Sequence, residues 1–226
     1  MNSQPRWQQI ASENLEAIYN PRAAGPNVQA GMDRRIAESE NARRLLADKC
    51  RSSIDLRYGT GDKQTLDLYQ PLTTPAQPAP LAIFIHGGYW RGGDKQDSTL
   101  VVPALLNAGA VVANVNYDLC PAISLDTMVE QIIAALRYCH AHAPDWHASQ
   151  DQVLLIGHSA GAHLAARVMN AKDNSDNLPA SLVSAVVAIS GIYEPEVITH
   201  ISVNEETQID TAVSYTHLTL PTIYSV

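Results

Sequence analysis

Between Leu81 and Ile189 short apolar runs alternate with segments of helical spacing, and this alternation constrains the fold more than any other feature of the chain. Leu81–Ile85, Val111–Val115, Val153–Ile156 and Val183–Ile189 are β-branched-rich runs too short for buried helices. Runs apolar on both faces suit strands covered on both sides. The stretches between them, Ser98–Asn107, Leu125–His142 and Ala160–Met169, carry helical spacing; in the longest, Met128, Ile132, Leu136 and Cys139 recur every three or four residues. Gly109 is placed to end the first. Strand and helix in turn predict an α/β fold, a mostly parallel sheet flanked by helices.

Upstream, Pro5–Tyr19 and Val28–Lys49 carry helical spacing, and in the second Met32, Ile36, Leu45 and Leu46 are expected to share the buried face. Ser53–Tyr58 and Thr65–Tyr69 alternate around Gly59–Asp62, which predicts a hairpin. Pro71, Pro75, Pro78 and Pro80 then mark a loop. The expected organisation is a helical segment, 1–50, packed on an α/β domain, 51–211. Residues 212–226 are expected to be foreign. Val213–Thr222 translates one frame of a transposon-type sequencing adapter, so the native chain is expected to stop short of the domain's last strands.

A 46% apolar and 17% charged composition suits a globular domain. The net charge of −8 argues against nucleic acid and an anionic membrane surface as partners. Nine of the fifteen basic residues precede position 60, including Arg34-Arg35 and Arg43-Arg44; interleaved with acids, they read as a solvated helix face. No apolar run approaches the roughly 20 residues of a membrane span, and the first twenty residues lack the apolar stretch of a signal peptide. Cys50, Cys120 and Cys139 are odd in number and form no CxxC, so a reducing cytoplasm is the expected location.

Two motifs carry chemistry. Gly157-His158-Ser159-Ala160-Gly161 lies between an apolar strand and a helix, the setting in which a G-x-S-x-G sequence becomes a strained turn that projects its serine. The flanking glycines admit close backbone approach, and the helix N-terminus brings free N–H groups to the serine. His86-Gly87-Gly88-Tyr89-Trp90 ends an earlier strand, and its small residues can turn backbone N–H groups toward a developing oxyanion.

HGGxW followed by GHSAG resembles the arylformamidase (kynurenine formamidase) branch of the α/β-hydrolases. Arg91-Gly92-Gly93-Asp94-Lys95, Asn116-Tyr117-Asp118-Leu119-Cys120-Pro121 and Ser190-Gly191-Ile192-Tyr193 are similar to bacterial members, so the likeness runs from about Tyr19 to Asp210. The resemblance implies cleavage of an N-formyl aryl amide through a formyl-enzyme. Ser159 would be the nucleophile, with Gly87, Gly88, Tyr89 and Ala160 around the oxyanion. It implies no cofactor and no metal, a small-molecule substrate, and at most a second copy of the chain as protein partner.

The chain departs from that pattern after Ser159, where an acid and then a histidine should follow on later loops. Asp173, Asp176, Asp210, His163 and His200 are available, but His163 lies one helical turn past the serine and His200 comes too early. His217 falls in the foreign tail. No acid or base is assigned, and such a chain should be nearly inactive. A carboxylesterase is the rival within the class, and a non-catalytic binding protein of the same fold is the rival outside it.

Other features carry less. Cys139, His140, His142 and His147 could suggest a metal, but they close a long helix, where histidines meet its C-terminal dipole. Gly88–Lys95 fails the phosphate-loop pattern because Asp94 follows Gly93 and no Ser or Thr follows Lys95. Tyr89, Trp90 and Tyr117 suit an aromatic substrate wall and core packing equally. Glu194 and Glu196 look like solvated loop carboxylates.

Overall fold

Backbone pairing joins six strands into one sheet in the computed structural model, which describes residues 5–23, 25–170 and 182–218. The strands are β1 (Cys50–Arg57), β2 (Thr65–Pro71), β3 (Ala79–Ile85), β4 (Val111–Val115), β5 (Ala148–His158) and β6 (Ala185–Ile189). Their order is β1-β2-β4-β3-β5-β6. The β1–β2 hairpin and the β2–β4 pair are antiparallel; β4–β3, β3–β5 and β5–β6 are parallel. The mostly parallel α/β sheet is therefore the one expected.

Alternate residues of β3 face two separate cores. Leu81, Ile83 and Ile85 pack with Met128, Ile132 and Leu136 of α4 (Leu125–His142) and Leu164 and Val168 of α5 (Ala160–Asn170). Ala82 and Phe84 point the other way, toward Leu46 of α2 (Pro26–Leu46) and Val102 of α3 (Val102–Asn107). A central strand with helices on both sides has no solvated face, which explains its unbroken apolar sequence. Ahead of α2, α1 (Ser12–Tyr19) is fastened to the domain by Glu16, whose carboxylate accepts the Ser202 N–H at 2.8 Å and the Ser202 hydroxyl at 2.6 Å.

Three expectations need correction. The buried face of α2 is Ser39, Ala42 and Leu46, whereas Ile36 and Leu45 are 38% and 49% exposed. Ser39 is buried because it is bonded: its hydroxyl donates to the Asp97 carbonyl at 2.8 Å and accepts the Leu100 N–H at 3.2 Å. The stretch expected as one helix over Ser98–Asn107 begins as a 3-10 turn, Lys95–Val101, before α3. Pro103 has no N–H and its ring excludes the preceding turn's carbonyl, so the α-helix starts only at Val102, with Pro103 in its first turn. The segment Pro5–Tyr19 is likewise divided, into a 3-10 turn at Arg6–Gln9 and α1.

The chain closes its described part with α6 (Asn204–Thr207) and α7 (Thr211–Leu218), the latter formed largely from residues expected to be foreign. All three cysteines are free and buried. Among the described residues no helix is long and apolar enough to cross a membrane.

Among the described residues β6 is an edge of the sheet, and its Val187 and Ile189 are 43% and 44% exposed. An apolar edge of this kind is a template for unwanted pairing. Val187→Lys should therefore raise the monomeric soluble fraction in size-exclusion chromatography while changing stability by no more than about 0.5 kcal/mol. An unchanged or larger aggregate fraction would count against β6 as the source of association.

Candidate active site

Ser159 is the single residue between the end of β5 and the start of α5, and it carries the reversal at φ 54°. A non-glycine residue in this left-handed region costs about 1–3 kcal/mol unless its surroundings hold it there. The Ser159 N–H donates to the Ile189 carbonyl at 2.8 Å, and the Ser159 carbonyl accepts the N–H groups of Ala162 and His163 at 3.0 and 3.1 Å. Both flanking glycines are required by space. A Cβ on Gly157 would overlap the Gly161 carbonyl and lie 2.6 Å from Ala162 Cα; one on Gly161 would overlap the Ile85 carbonyl and lie 2.5 Å from that of His86.

The glycine loop meets this bend. A Cβ on Gly87 would lie 2.8 Å from the His158 carbonyl and 3.0 Å from Ser159 Cβ, so the loop backbone touches the serine. Gly88 and Gly93 take φ values of 139° and 90°, and Tyr89 and Trp90 are left-handed at 54° and 58°. Behind the loop, buried His86 sits between the Gly87 carbonyl at 2.8 Å and Asn116 Oδ1 at 2.9 Å, and stacks on Tyr117 at 4.4 Å. The Tyr117 hydroxyl donates to the His86 carbonyl at 2.8 Å. Asn116 Nδ2 and Lys63 Nζ donate to Asp94 Oδ2 at 2.8 and 3.0 Å. Burial lowers the proton affinity of His86. Burial opposes ionisation of Asp94, yet hydrogen bonds from the Gln96 N–H, Asn116 and Lys63 hold its carboxyl below the usual range.

The aromatic residues divide by role. Trp90 and Tyr117 are fully buried and pack. Tyr89 lines the cavity beside Ser159, and its hydroxyl donates to the Tyr19 carbonyl, tying the loop to the end of α1.

The later histidines do not converge on the serine. Trp90 Nε1 donates to His163 Nδ1 at 3.2 Å, which leaves the His163 proton on Nε2. Nε2 lies 3.1 Å from His217 Nδ1, and His217 Nε2 lies 3.1 Å from Asp126 Oδ1. A neutral chain of donors thus runs from Trp90 through both histidines to Asp126. Burial pushes both imidazoles below their ordinary pKa; the neighbouring His217 and Arg167 push His163 further, and Arg167 does the same to His217. His200 packs on Trp7 with ring centroids 5.0 Å apart, and Asp210 accepts the Val213 N–H at 2.7 Å. Asp173 and Asp176 lie outside the described residues. Among the described residues no histidine is hydrogen-bonded to the Ser159 hydroxyl.

The histidines near the end of α4 do not converge on a common point. His142 Nδ1 bonds the Tyr138 carbonyl at 2.9 Å, and His147 Nε2 bonds the Pro75 carbonyl at 2.8 Å. Among the described residues no group of three or more His, Cys, Asp or Glu could hold a metal.

Ser159 opens onto a cavity of about 200 Å³ between the glycine loop and the N-terminal helical segment. His158, Tyr89 and three arginines, Arg22, Arg35 and Arg91, contribute to its walls. Arg35 was missed from sequence because the basic pairs of α2 resemble a solvated face. The signal was available: Arg35 falls on the line Met32, Arg35, Ser39, Ala42, Leu46, three or four residues apart, that turns inward.

A strained serine between a parallel strand and a helix, touched by a diglycine loop from the neighbouring strand, matches known proteins. The family model described as BD-FAE matches residues 66–218. The chain belongs to the BD-FAE family. It is 31% identical over 210 residues to a kynurenine formamidase of Salmo salar, covering 88% of this chain and 67% of that enzyme. Among solved structures, a Silicibacter protein is 30% identical with a TM-score of 0.76, over 90% of this chain and 73% of that one. Esterase B of Lactobacillus rhamnosis, inhibited by a tributyrin phosphonate, is 26% identical with a TM-score of 0.62, over 83% of this chain and 66% of that one. This BD-FAE member is an arylformamidase-like α/β-hydrolase, a hydrolase of the formamidase and esterase type.

Two outcomes follow from the geometry. Gly161→Ala should destabilise the hydrolase by about 1–3 kcal/mol or more, as overpacking does, because the new methyl meets fixed backbone carbonyls; a denaturant midpoint equal to wild type would contradict the close approach. His163 and His217 bind protons less readily folded than unfolded, so their contribution is present above their ordinary value of 6.5 and is lost as pH falls below it. Tm should drop between about pH 7 and about pH 5, and His163→Gln should flatten that drop. A Tm independent of pH over this range would contradict the neutral pair.

Proposed function

We propose that Ser159 is the nucleophile of an N-formyl aryl amide hydrolase acting on N-formylkynurenine-like substrates. Its hydroxyl oxygen attacks the formyl carbon, and the hydroxyl proton passes to a base. The carbonyl oxygen becomes an oxyanion facing the N–H groups of Gly87, Gly88, Tyr89 and Ala160. Collapse expels the aryl amine, which takes up a proton, and leaves formyl-Ser159. Water then releases formate and restores the serine. The observation that carries this reading is the contact of Gly87 with Ser159, which brings the loop's backbone to the reacting centre. One such N–H donor stabilises the transition state by about 2.7–4 kcal/mol. The kynurenine formamidase relative favours a formyl amide over other acyl groups. Three free, buried cysteines favour a reducing compartment, the cytoplasm.

The base is the unfilled role. His163 and His217 are spent on Trp90 and Asp126, and His200 on Trp7. A serine without a base remains protonated and weakly nucleophilic. This chain should therefore turn over slowly, and the reading assigns the acid and base to a native continuation of the gene in place of the adapter-like tail. The esterase B neighbour favours a second reading, cleavage of small esters at the same serine. A non-catalytic binding role would follow if the native frame held no late Asp and His.

Sequencing the locus without such an adapter separates these readings. In the protein so completed, Ser159→Ala should lower kcat at least about a thousandfold. N-formylkynurenine should exceed p-nitrophenyl acetate in kcat/KM. Activity of Ser159→Ala within about tenfold of wild type would remove the serine from the mechanism, and the reverse substrate ranking would favour the esterase.

A further inference from the structure

We infer that His86 is held as an imidazolium, protonated on both ring nitrogens, and that through the Gly87 carbonyl it strengthens the Gly88 N–H, one of the donors proposed for the oxyanion.

Asp94 fixes the direction of the hydrogen bonds behind the glycine loop. Its carboxylate accepts the Gln96 N–H at 3.1 Å and Lys63 Nζ at 3.0 Å, and an ionised carboxylate can only accept. Asn116 must therefore present its amide nitrogen to Asp94, at 2.8 Å, and its oxygen to His86 Nε2, at 2.9 Å. The other ring nitrogen, Nδ1, faces a second oxygen, the Gly87 carbonyl, at 2.8 Å. Gly93 closes over that contact: a Cβ there would lie 2.5 Å from the carbonyl oxygen and 3.0 Å from Nδ1. A neutral imidazole has one N–H and one lone pair. Either neutral tautomer of this buried ring would set its lone pair against an oxygen inside hydrogen-bonding distance. Only the imidazolium satisfies both oxygens.

The surroundings suit a cation. Tyr117 stacks on the ring with centroids 4.4 Å apart, inside the roughly 6 Å over which an aromatic face attracts a positive charge. A buried charge must also be paired, and Asp94 supplies the opposite charge through Asn116. Lys63 lies beyond Asp94, and His158 lies across Gly87, its Nδ1 2.9 Å from a Cβ there. Burial, the largest influence, pulls the ring's proton affinity below the ordinary histidine value, and Lys63 adds to the pull; the Gly87 carbonyl, Asn116 and Asp94 oppose it. The bonding pattern outweighs burial, because loss of either proton leaves two acceptors facing each other with no room to part.

The Gly87 carbonyl and the Gly88 N–H belong to one peptide group. A charged donor on the carbonyl polarises that group and strengthens its N–H, as along any chain of hydrogen bonds. Among the described residues no backbone carbonyl accepts the Gly88 N–H, which leaves it free for an oxyanion. His86 is thus a positioning residue that acts through one peptide bond, and its contribution is charge as well as packing.

Its part at the oxyanion rests on the reading of Ser159 as nucleophile, but the charge is read without turnover. Ring-nitrogen NMR of labelled histidine in the full chain reports it, with the His86 signals assigned through Gly87. Near neutral pH both His86 nitrogens should carry a proton. Asp94→Asn should remove one of them, whereas Lys63→Met should keep both, a contrast that mere loosening of the loop would not produce. In the completed protein Asp94→Asn should lower kcat about tenfold with KM within about twofold, a smaller loss than the roughly 10²–10³-fold of deleting a donor outright. A wild-type ring with one bare nitrogen, or an Asp94→Asn ring that keeps both protons, would overturn the charge. An Asp94→Asn enzyme that loses the proton yet keeps its full kcat would overturn the link to the oxyanion. Should Asp94→Asn fail to fold, the wild-type and Lys63→Met spectra still decide, since a Lys63→Met ring with one bare nitrogen contradicts Asp94 as the counter-charge. If the completed protein turns over neither formamide nor ester while His86 carries both protons, the charge stands and the reaction assignment falls.

Discussion

The parallel pairing of β3 with β5 is the constraint on which the site depends. Its register sets Ile85 opposite Gly157, so both strands end on the same rim of the sheet. Parallel neighbours lie about 4.8 Å apart, so the loops leaving them must meet. Gly161 then admits the carbonyls of Ile85 and His86, and Gly87 admits the His158 carbonyl and Ser159 itself. Three glycines, at 87, 157 and 161, are therefore one packing requirement expressed in two motifs. A side chain at Gly87 or Gly161 would force the strand ends apart, and one at Gly157 would push the start of α5 away from the bend.

Around this contact the molecule spends its buried polar groups on holding the loop. His86, Asn116, Asp94 and Lys63 brace it from one side. Trp90 and His163 brace it from the other, and Tyr89 ties it to the N-terminal segment through Tyr19. Preorganised donors are effective because they need no reorganisation when charge develops. The bracing explains why the loop tolerates two consecutive left-handed residues, Tyr89 and Trp90, which an isolated chain would avoid.

Much of this was legible in the sequence. β3 is apolar on both faces because helices cover both, and its unbroken apolar run records that directly. Gly157 and Gly161 announce the bend because no other residue fits. α2 was harder: its inward line contains Ser39, a polar residue whose burial depends on partners elsewhere in the chain, at Asp97 and Leu100, and Arg35, which lines the serine cavity. Hydrophobic spacing cannot register such a face, and the apolar Ile36 and Leu45 pointed to the wrong one. The break before α3 was encoded in Pro103, which helical periodicity alone overlooks. His163 looked like a residue on the wrong element for catalysis, and the structure gives it another task, as acceptor for the Trp90 indole.

On the proposed reading, the backbone of the His86–Trp90 loop faces the Ser159 hydroxyl closely enough to receive an oxyanion. A crystal structure of the protein treated with an alkyl phosphonate tests it most directly. Phosphorus is expected to be bonded to Ser159 Oγ, with its free oxygen within hydrogen-bonding reach, about 2.7–3.1 Å, of N–H groups from the Gly87–Tyr89 loop and Ala160. A phosphonyl oxygen turned away from those amides, or a His86–Trp90 loop lying on a different rim from Ser159, would contradict it.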